Sequence, residues 1–203
     1  MISTSKIAIV DYGAGNLNSV KKAFDYIGAE VVVTDQPETV LAVDKIVLPG
    51  VGHFSSLQAL NRVGLREALL QATSAGKPFL GICLGMQWLF EGSEECSEIA
   101  GAGIFTGRCR PFPSAVKSPH VGWNSLQIDV QNGSRLLQGI AQDSFVYYTH
   151  SFHAPLVAET TAVSDYGLQF AGAIERGNTF GVQFHPEKSG DVGLSILKNF
   201  GEL

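Results

Sequence analysis

Charge is what this chain of 203 residues has least of: Asp, Glu, Lys and Arg together make up 16%, against roughly 25% in an average soluble domain. The formal net charge is −5. There is no basic surplus, which excludes the electrostatic footprint of a nucleic-acid binder. Disorder needs low hydrophobicity and high net charge, and a hydrophobic content of 45% argues against it. Long apolar runs are also missing. Stretches such as Ile7-Ala8-Ile9-Val10 are far too short to span a bilayer. Met1 to Lys6 is polar and has no signal-peptide core. Cysteine is scarce: Cys83, Cys96 and Cys109 show no CxxC spacing, which leaves neither a disulfide framework nor a thiolate zinc site. The expectation is a soluble protein in a reducing, cytoplasmic setting, with no membrane or nucleic-acid partner.

What the chain has in excess is glycine, 23 residues, above the usual ~7%. Its first half alternates apolar strands with amphipathic helices. Strands are expected at Lys6 to Asp11, Val31 to Val33, Lys45 to Pro49 and Pro78 to Cys83. Leu17, Val20, Phe24 and Ile27 recur at helical spacing up to Gly28. Ser56 to Ala72 reads as one helix and Leu84 to Phe90 as a short one. Continuous apolar strands alternating with helices predict a mostly parallel sheet covered on both faces. The second half changes character. Strands are expected at Ser125 to Asp129, Phe145 to Thr149, Thr161 to Ser164, Ala171 to Ile174 and Phe180 to Phe184, with a helix only at Val192 to Phe200. The reading is one α/β domain over residues 1–203 with an added β-rich second half. In open α/β sheets the site lies at the carboxyl ends of strands.

Gly81-Ile82-Cys83-Leu84-Gly85 stands between a strand and a helix. This is the G-x-nucleophile-x-G pattern, with Cys in place of Ser. A sharp turn exposes the side chain, the flanking glycines admit close backbone approach, and the helix N-terminus favours negative charge. The N–H of Leu84 can face a developing oxyanion. Taken alone, Cys83 would read as a packed thiol. Phe184-His185-Pro186-Glu187 changes that balance. On an extended segment residues i and i+2 project to one side, so Glu187 can hold the imidazole of His185 in one tautomer, as the third member of a triad does. Pro49-Gly50-Val51-Gly52 also follows a strand and can supply a backbone N–H to an anionic oxygen. Asp11-Tyr12-Gly13-Ala14-Gly15-Asn16 is no dinucleotide fingerprint, because Asn18 stands at the third glycine position. It reads as a turn or a contact loop. His53, His120, His150 and His153 show no metal-ligand spacing, so no metal is expected, though His150-Ser151-Phe152 can reach the cleft.

Gly81 to Gln87, with Gln183-Phe184-His185-Pro186-Glu187, resembles the nucleophile and His/Glu motifs of the class I (triad-type) glutamine amidotransferases. Within that family the chain resembles the glutaminase subunits of imidazole glycerol phosphate synthases, nearly end to end. The matching segments are Asp11 to Leu17, Pro49 to Gly52, Pro119 to Asn124, His150-Ser151 and Glu187 to Ser189. Val121 and Phe152 depart from it, standing where many relatives carry Met and Tyr.

The resemblance implies a flavodoxin-like amidotransferase fold, glutamine as substrate and no cofactor. It also implies a heterodimer with a (β/α)₈-barrel cyclase subunit that receives the ammonia, in histidine biosynthesis. Cys83, His185 and Glu187 would be the triad, with Val51 and Leu84 forming the oxyanion hole. Gly50, Gly52, Gln87, Glu95 and Ser151 would hold the substrate. Asn16, Trp123, Tyr147 and Lys188 would lie toward the interface or ammonia passage. The glutaminases of anthranilate and guanylate synthesis share the triad. The Trp123 loop, Lys188 and the bound synthase protein tell them apart. A flavodoxin-like binding module would need phosphate loops that this chain lacks.

Overall fold

The computed structural model describes residues 5–62, 64–131 and 133–203. Most of the polar stretch Met1 to Lys6, residues 1–4, therefore lies outside the described residues. The first half runs β1 (Lys6–Val10), α1 (Leu17–Tyr26), β2 (Glu30–Thr34), α2 (Pro37–Ala42), β3 (Lys45–Gly50), a 3₁₀ turn (Phe54–Gln58), α3 (Ala59–Arg62), α4 (Leu65–Ser74), β4 (Phe79–Cys83) and α5 (Leu84–Trp88). Three short strands follow: β5 (Gly92–Ser93), β6 (Cys96–Ala100) and β7 (Arg108–Pro111). The remainder is β8 (His120–Ile128), β9 (Ser144–His150), β10 (Phe152–His153), β11 (Thr160–Asp165), β12 (Gln169–Arg176), β13 (Thr179–Val182), a 3₁₀ turn (Pro186–Lys188) and α6 (Gly190–Glu202).

Nine strands form one sheet in the order β2-β1-β3-β4-β13-β12-β11-β8-β9. The block from β2 to β13 is parallel, and from β13 to β9 every pairing is antiparallel. The sheet is thus mixed, with its parallel half built by the strand–helix alternation and its antiparallel half by the β-rich segment. A second sheet, β10-β7-β5-β6, stands apart from it. Alternation along each strand divides the core. Ile7, Ile9 and Val47 pack with Val20 and Phe24 of α1 and with Ile196 and Phe200 of α6. Ala8, Val10, Ile46 and Leu48 pack on the opposite face with Val40, Leu65 and Leu69 of α2 and α4.

The helix expected over Ser56 to Ala72 is divided. Gly64 adopts φ +72°, a left-handed conformation that ends one helical run before α4 begins. Position 63 lies outside the described residues. β8 starts at His120, five residues before the expected strand.

Candidate active site

Cys83 is the last residue of β4 and the N-cap of α5, held at φ 52°, ψ −105°. Left-handed φ in a side-chain-bearing residue is a strained state that the surroundings must enforce. The flanking glycines show how. A Cβ on Gly85 would overlap the Leu48 carbonyl oxygen, and one on Gly81 would meet the Gly85 backbone. Only glycine lets α5 close this tightly on β3 and β4, and the turn delivers the thiol to the carboxyl end of the sheet.

His185 and Glu187 follow β13, the neighbour of β4. His185 Nδ1 is 2.9 Å from Glu187 Oε1, and each side chain is 1% exposed. The pairing arises differently from the extended alternation expected. His185 is extended, but the chain then turns through the 3₁₀ segment Pro186–Lys188, and this turn folds the carboxylate back onto the ring. Ser189 Oγ donates to the His185 carbonyl at 2.6 Å and accepts the Tyr147 N–H at 3.0 Å, while the His185 N–H donates to the Tyr147 carbonyl at 2.8 Å. His185 is thereby latched to β9.

Burial disfavours a charged imidazole, but the facing Cys83 and the hydrogen-bonded Glu187 outweigh it, and His185 is pushed up to about 10. The ring is therefore an imidazolium at neutral pH. Its Nε2 and the second oxygen of Glu187 are buried without hydrogen-bond partners. The thiol itself is placed by Thr149 and Gln183: Cys83 Sγ lies 3.9 Å from the Thr149 carbonyl and 3.7 Å from Gln183 Nε2.

A cavity of about 230 Å³ opens on Cys83. Its wall holds Gly52, Leu84, Gln87, Glu95 and Ser151, with His150, Phe152, Thr149 and Pro119. Four of the five expected substrate residues are thus brought together. Gln87 Nε2 donates to the Phe152 carbonyl at 2.8 Å and to Gln183 Oε1 at 3.3 Å, and Glu95 Oε2 accepts the Phe54 N–H at 2.7 Å. Gly50 and Val51 stand outside this wall, and Gly50 is the rung of the β3–β4 ladder opposite Cys83. The Ile46 N–H donates to the Pro78 carbonyl just before β4. The period of two along a strand then turns the Gly50 carbonyl toward β4 as well. The N–H of the same peptide, that of Val51, points the other way, toward β1.

The interface residues fall in two places. Trp123 of β8 pairs in register with Tyr147 of β9, their rings meet edge-on at 5.9 Å, and Lys188 Nζ lies 5.8 Å from the Tyr147 ring. Trp123 is 55% exposed, and Val121 and Phe145 are exposed on the same face of this hairpin. Asn16 is elsewhere, as the N-cap of α1, where its carbonyl accepts the Ser19 and Val20 N–H groups.

Two features escaped the sequence reading. Gln183, fully buried in the segment leading to His185, links Gln87 to the thiol. A chain of neutral histidines also reaches the cavity. His150 Nδ1 is 2.9 Å from the Phe152 carbonyl, which can only accept, so His150 Nε2 must accept from His120 Nδ1 at 3.0 Å. Asn124 Nδ2 stands 3.5 Å from His120 Nε2 and completes the run. Burial lowers His120 to about 4 and His150 to about 3. Little signal was available for them, since both histidines lie outside the expected strands; only the observed bounds of β8 and β9 place them where a polar ring needs a partner. Among the described residues no cluster of His, Cys, Asp and Glu is arranged to hold a metal, and no helix is long and apolar enough to cross a membrane.

The family profile of class I glutamine amidotransferases matches residues 8–202. The chain is 47% identical to the imidazole glycerol phosphate synthase subunit HisH of Bacillus cereus, covering 96% of this chain and 93% of that one. The subunit of the same name from Methanothermobacter thermautotrophicus is also 47% identical, covering 97% and 98%. A crystal structure of a glutamine amidotransferase superposes with a TM-score of 0.74 at 16% identity, covering 96% of this chain and 98% of that one. PurLQS from Thermotoga maritima gives 0.74 at 18% identity, covering 97% of each. These two establish likeness of fold.

Proposed function

The chain belongs to the class I glutamine amidotransferase family, and we infer that it is the glutaminase subunit of an imidazole glycerol phosphate synthase, hydrolysing glutamine to glutamate and ammonia in histidine biosynthesis. The observation that carries the mechanism is the buried His185–Glu187 pair set beside a cysteine in a strained strand-to-helix turn.

We assign the chemistry to Cys83, His185 and Glu187, within one domain spanning residues 1–203. The Cys83 thiolate attacks the side-chain amide carbon of glutamine, and the carbonyl π electrons move onto oxygen. The Leu84 N–H, at the start of α5, and the Val51 N–H stabilise that oxyanion. Since Val51 faces β1 here, the second donor enters the hole when the Gly50–Val51 peptide rotates. The His185 imidazolium gives its proton to the departing nitrogen, ammonia leaves, and a glutamyl thioester remains. Neutral His185 then takes a proton from water as the water attacks the thioester, which releases glutamate and regenerates the thiolate. Glu187 fixes the tautomer throughout. Gly52, Gln87, Glu95 and Ser151 shape the cavity for the amino-acid end of the substrate, with Gly50 supporting the loop from behind.

Ammonia released into bulk water would be protonated and lose its nucleophilicity. The proposed partner is a separate (β/α)₈-barrel cyclase, docked as a heterodimer on the hairpin of Trp123 and Tyr147 with Lys188, and reaching Asn16 at the start of α1. The exposed Val121, Trp123 and Phe145 support this surface, because exposed apolar patches mark protein contacts. The test is glutamate release from glutamine by the chain alone and with the cyclase subunit and its nucleotide ligand. Release that rises with the partner is expected. No release under either condition contradicts the glutaminase assignment, and release indifferent to the cyclase contradicts the partner.

A further inference from the structure

Tyr12 is buried, yet its hydroxyl has no hydrogen-bond partner. A buried hydroxyl left unpaired is destabilising and calls for an explanation. Two other buried atoms without partners, on His185 and Glu187, belong to the proposed triad, and Tyr12 Oη stands against Gly50 of the oxyanion loop, beside Leu84. It fills the space that a Cβ on Gly50 would need, with the Leu84 Cβ at 2.8 Å from the same point. Burial, with Cys83 adding to it, pushes the hydroxyl up, so it stays a neutral donor. Tyr12 does not line the substrate cavity. It lines a separate depression with Gly13, Ser55 and Arg62, and so meets Gly50 from outside the cavity.

The sheet order gives this placement a direction. β3 lies between β1 and β4, and Tyr12 follows β1 by two residues. In the structure the Gly50 carbonyl faces β4 and the Val51 N–H faces β1. Rotating that peptide exchanges the two. The N–H comes to the side of Cys83 and Leu84, and the carbonyl leaves the β4 ladder beside the unpaired hydroxyl, which lies against the Cα of Gly50. The same rotation satisfies an orphaned donor and completes the oxyanion hole.

We propose that Tyr12 is a positioning residue for the oxyanion loop: its hydroxyl donates to the Gly50 carbonyl in the rotated, catalytically competent conformation and holds the Val51 N–H in the hole. The inference rests on the glutaminase reading and deepens it. Tyr12→Phe keeps the ring and removes only the donor. In the assembled synthase with nucleotide bound, this variant lowers kcat for glutamine hydrolysis about tenfold with KM unchanged, as the loss of one hydrogen bond predicts. The thermal midpoint of the free variant is unchanged or raised, because the hydroxyl is unpaired in the resting state. A variant with wild-type kcat, or one whose kcat and thermal midpoint fall together, overturns the proposal. If wild-type chain run alongside releases no glutamate, the glutaminase reading falls and the inference with it. A wild-type rate in Tyr12→Phe beside an active wild type overturns the inference alone.

Discussion

His185 is held between opposed influences. Burial pulls its proton off, while Cys83 and Glu187 hold it on and prevail, at about 10. In the proposed mechanism protonated His185 supplies the proton to departing ammonia, so activity is expected to be retained below that value and lost as pH rises through it. Glu187→Gln removes a hydrogen-bonded carboxylate that favours the imidazolium. The alkaline limb of its kcat profile therefore moves to lower pH, and kcat at neutral pH falls roughly 10²-fold, the low end of what general acid–base catalysis contributes. A profile unmoved by this substitution contradicts the orienting role of Glu187. Cys83, His185 and Glu187, the proposed triad, were singled out from the sequence, and the structure pairs His185 with Glu187. Gln183 lay in view within the same motif, but a glutamine beside a strand says nothing of its partner until its 3.7 Å approach to Cys83 is known.

At the scale of elements, the β4–α5 turn is the critical construction. Gly85 lies directly under the Leu48 carbonyl, where any side chain collides with backbone that cannot rotate away. Gly85→Ala forces α5 off β3, costing about 2–3 kcal/mol, as overpacked sites do, and it displaces Cys83 with α5. Chemical denaturation and glutamate release are expected to fall together, and a variant of wild-type stability contradicts the packing account. The central strands were legible because β1, β3 and β4 are almost wholly apolar runs between turn signals, with a lysine only at the first position of β1 and of β3. α2 was not, since its six residues bury only Val40 and give no periodicity. The small sheet was hidden for a related reason: β5 and β10 have two residues each, and β6 is mostly exposed. Its position nonetheless matters, because it brings Glu95 and Phe152 to the cavity.

Across the whole molecule, polar contacts connect the hairpin proposed for docking with the substrate cavity. Asn124 of β8 leads through His120 and His150 to the Phe152 carbonyl, which also receives Gln87. His120 stacks between Tyr148 and Tyr166, at 4.9 and 4.0 Å. Both histidines are held well below the usual range by burial, with the neighbouring His153 and His185 adding to the shift of His150. The folded state therefore refuses protons that the unfolded chain accepts below about 6.5. Stability is fully present above that pH and declines as pH falls toward 4 and then 3, with a slope of up to about 1.4 kcal/mol per unit for each histidine. Urea midpoints measured from pH 7 to pH 4 check this, and a flat profile contradicts it.

The central claim is that Cys83 carries the glutamyl group. The most direct test incubates the chain, with its synthase partner and nucleotide, in labelled glutamine, quenches in acid, and maps the covalent label by peptide mass spectrometry. The account predicts a glutamyl thioester on the peptide containing Cys83, none on those containing Cys96 or Cys109, and no label in Cys83→Ala. Glutamate release that continues in Cys83→Ala, or label placed on another cysteine, contradicts it.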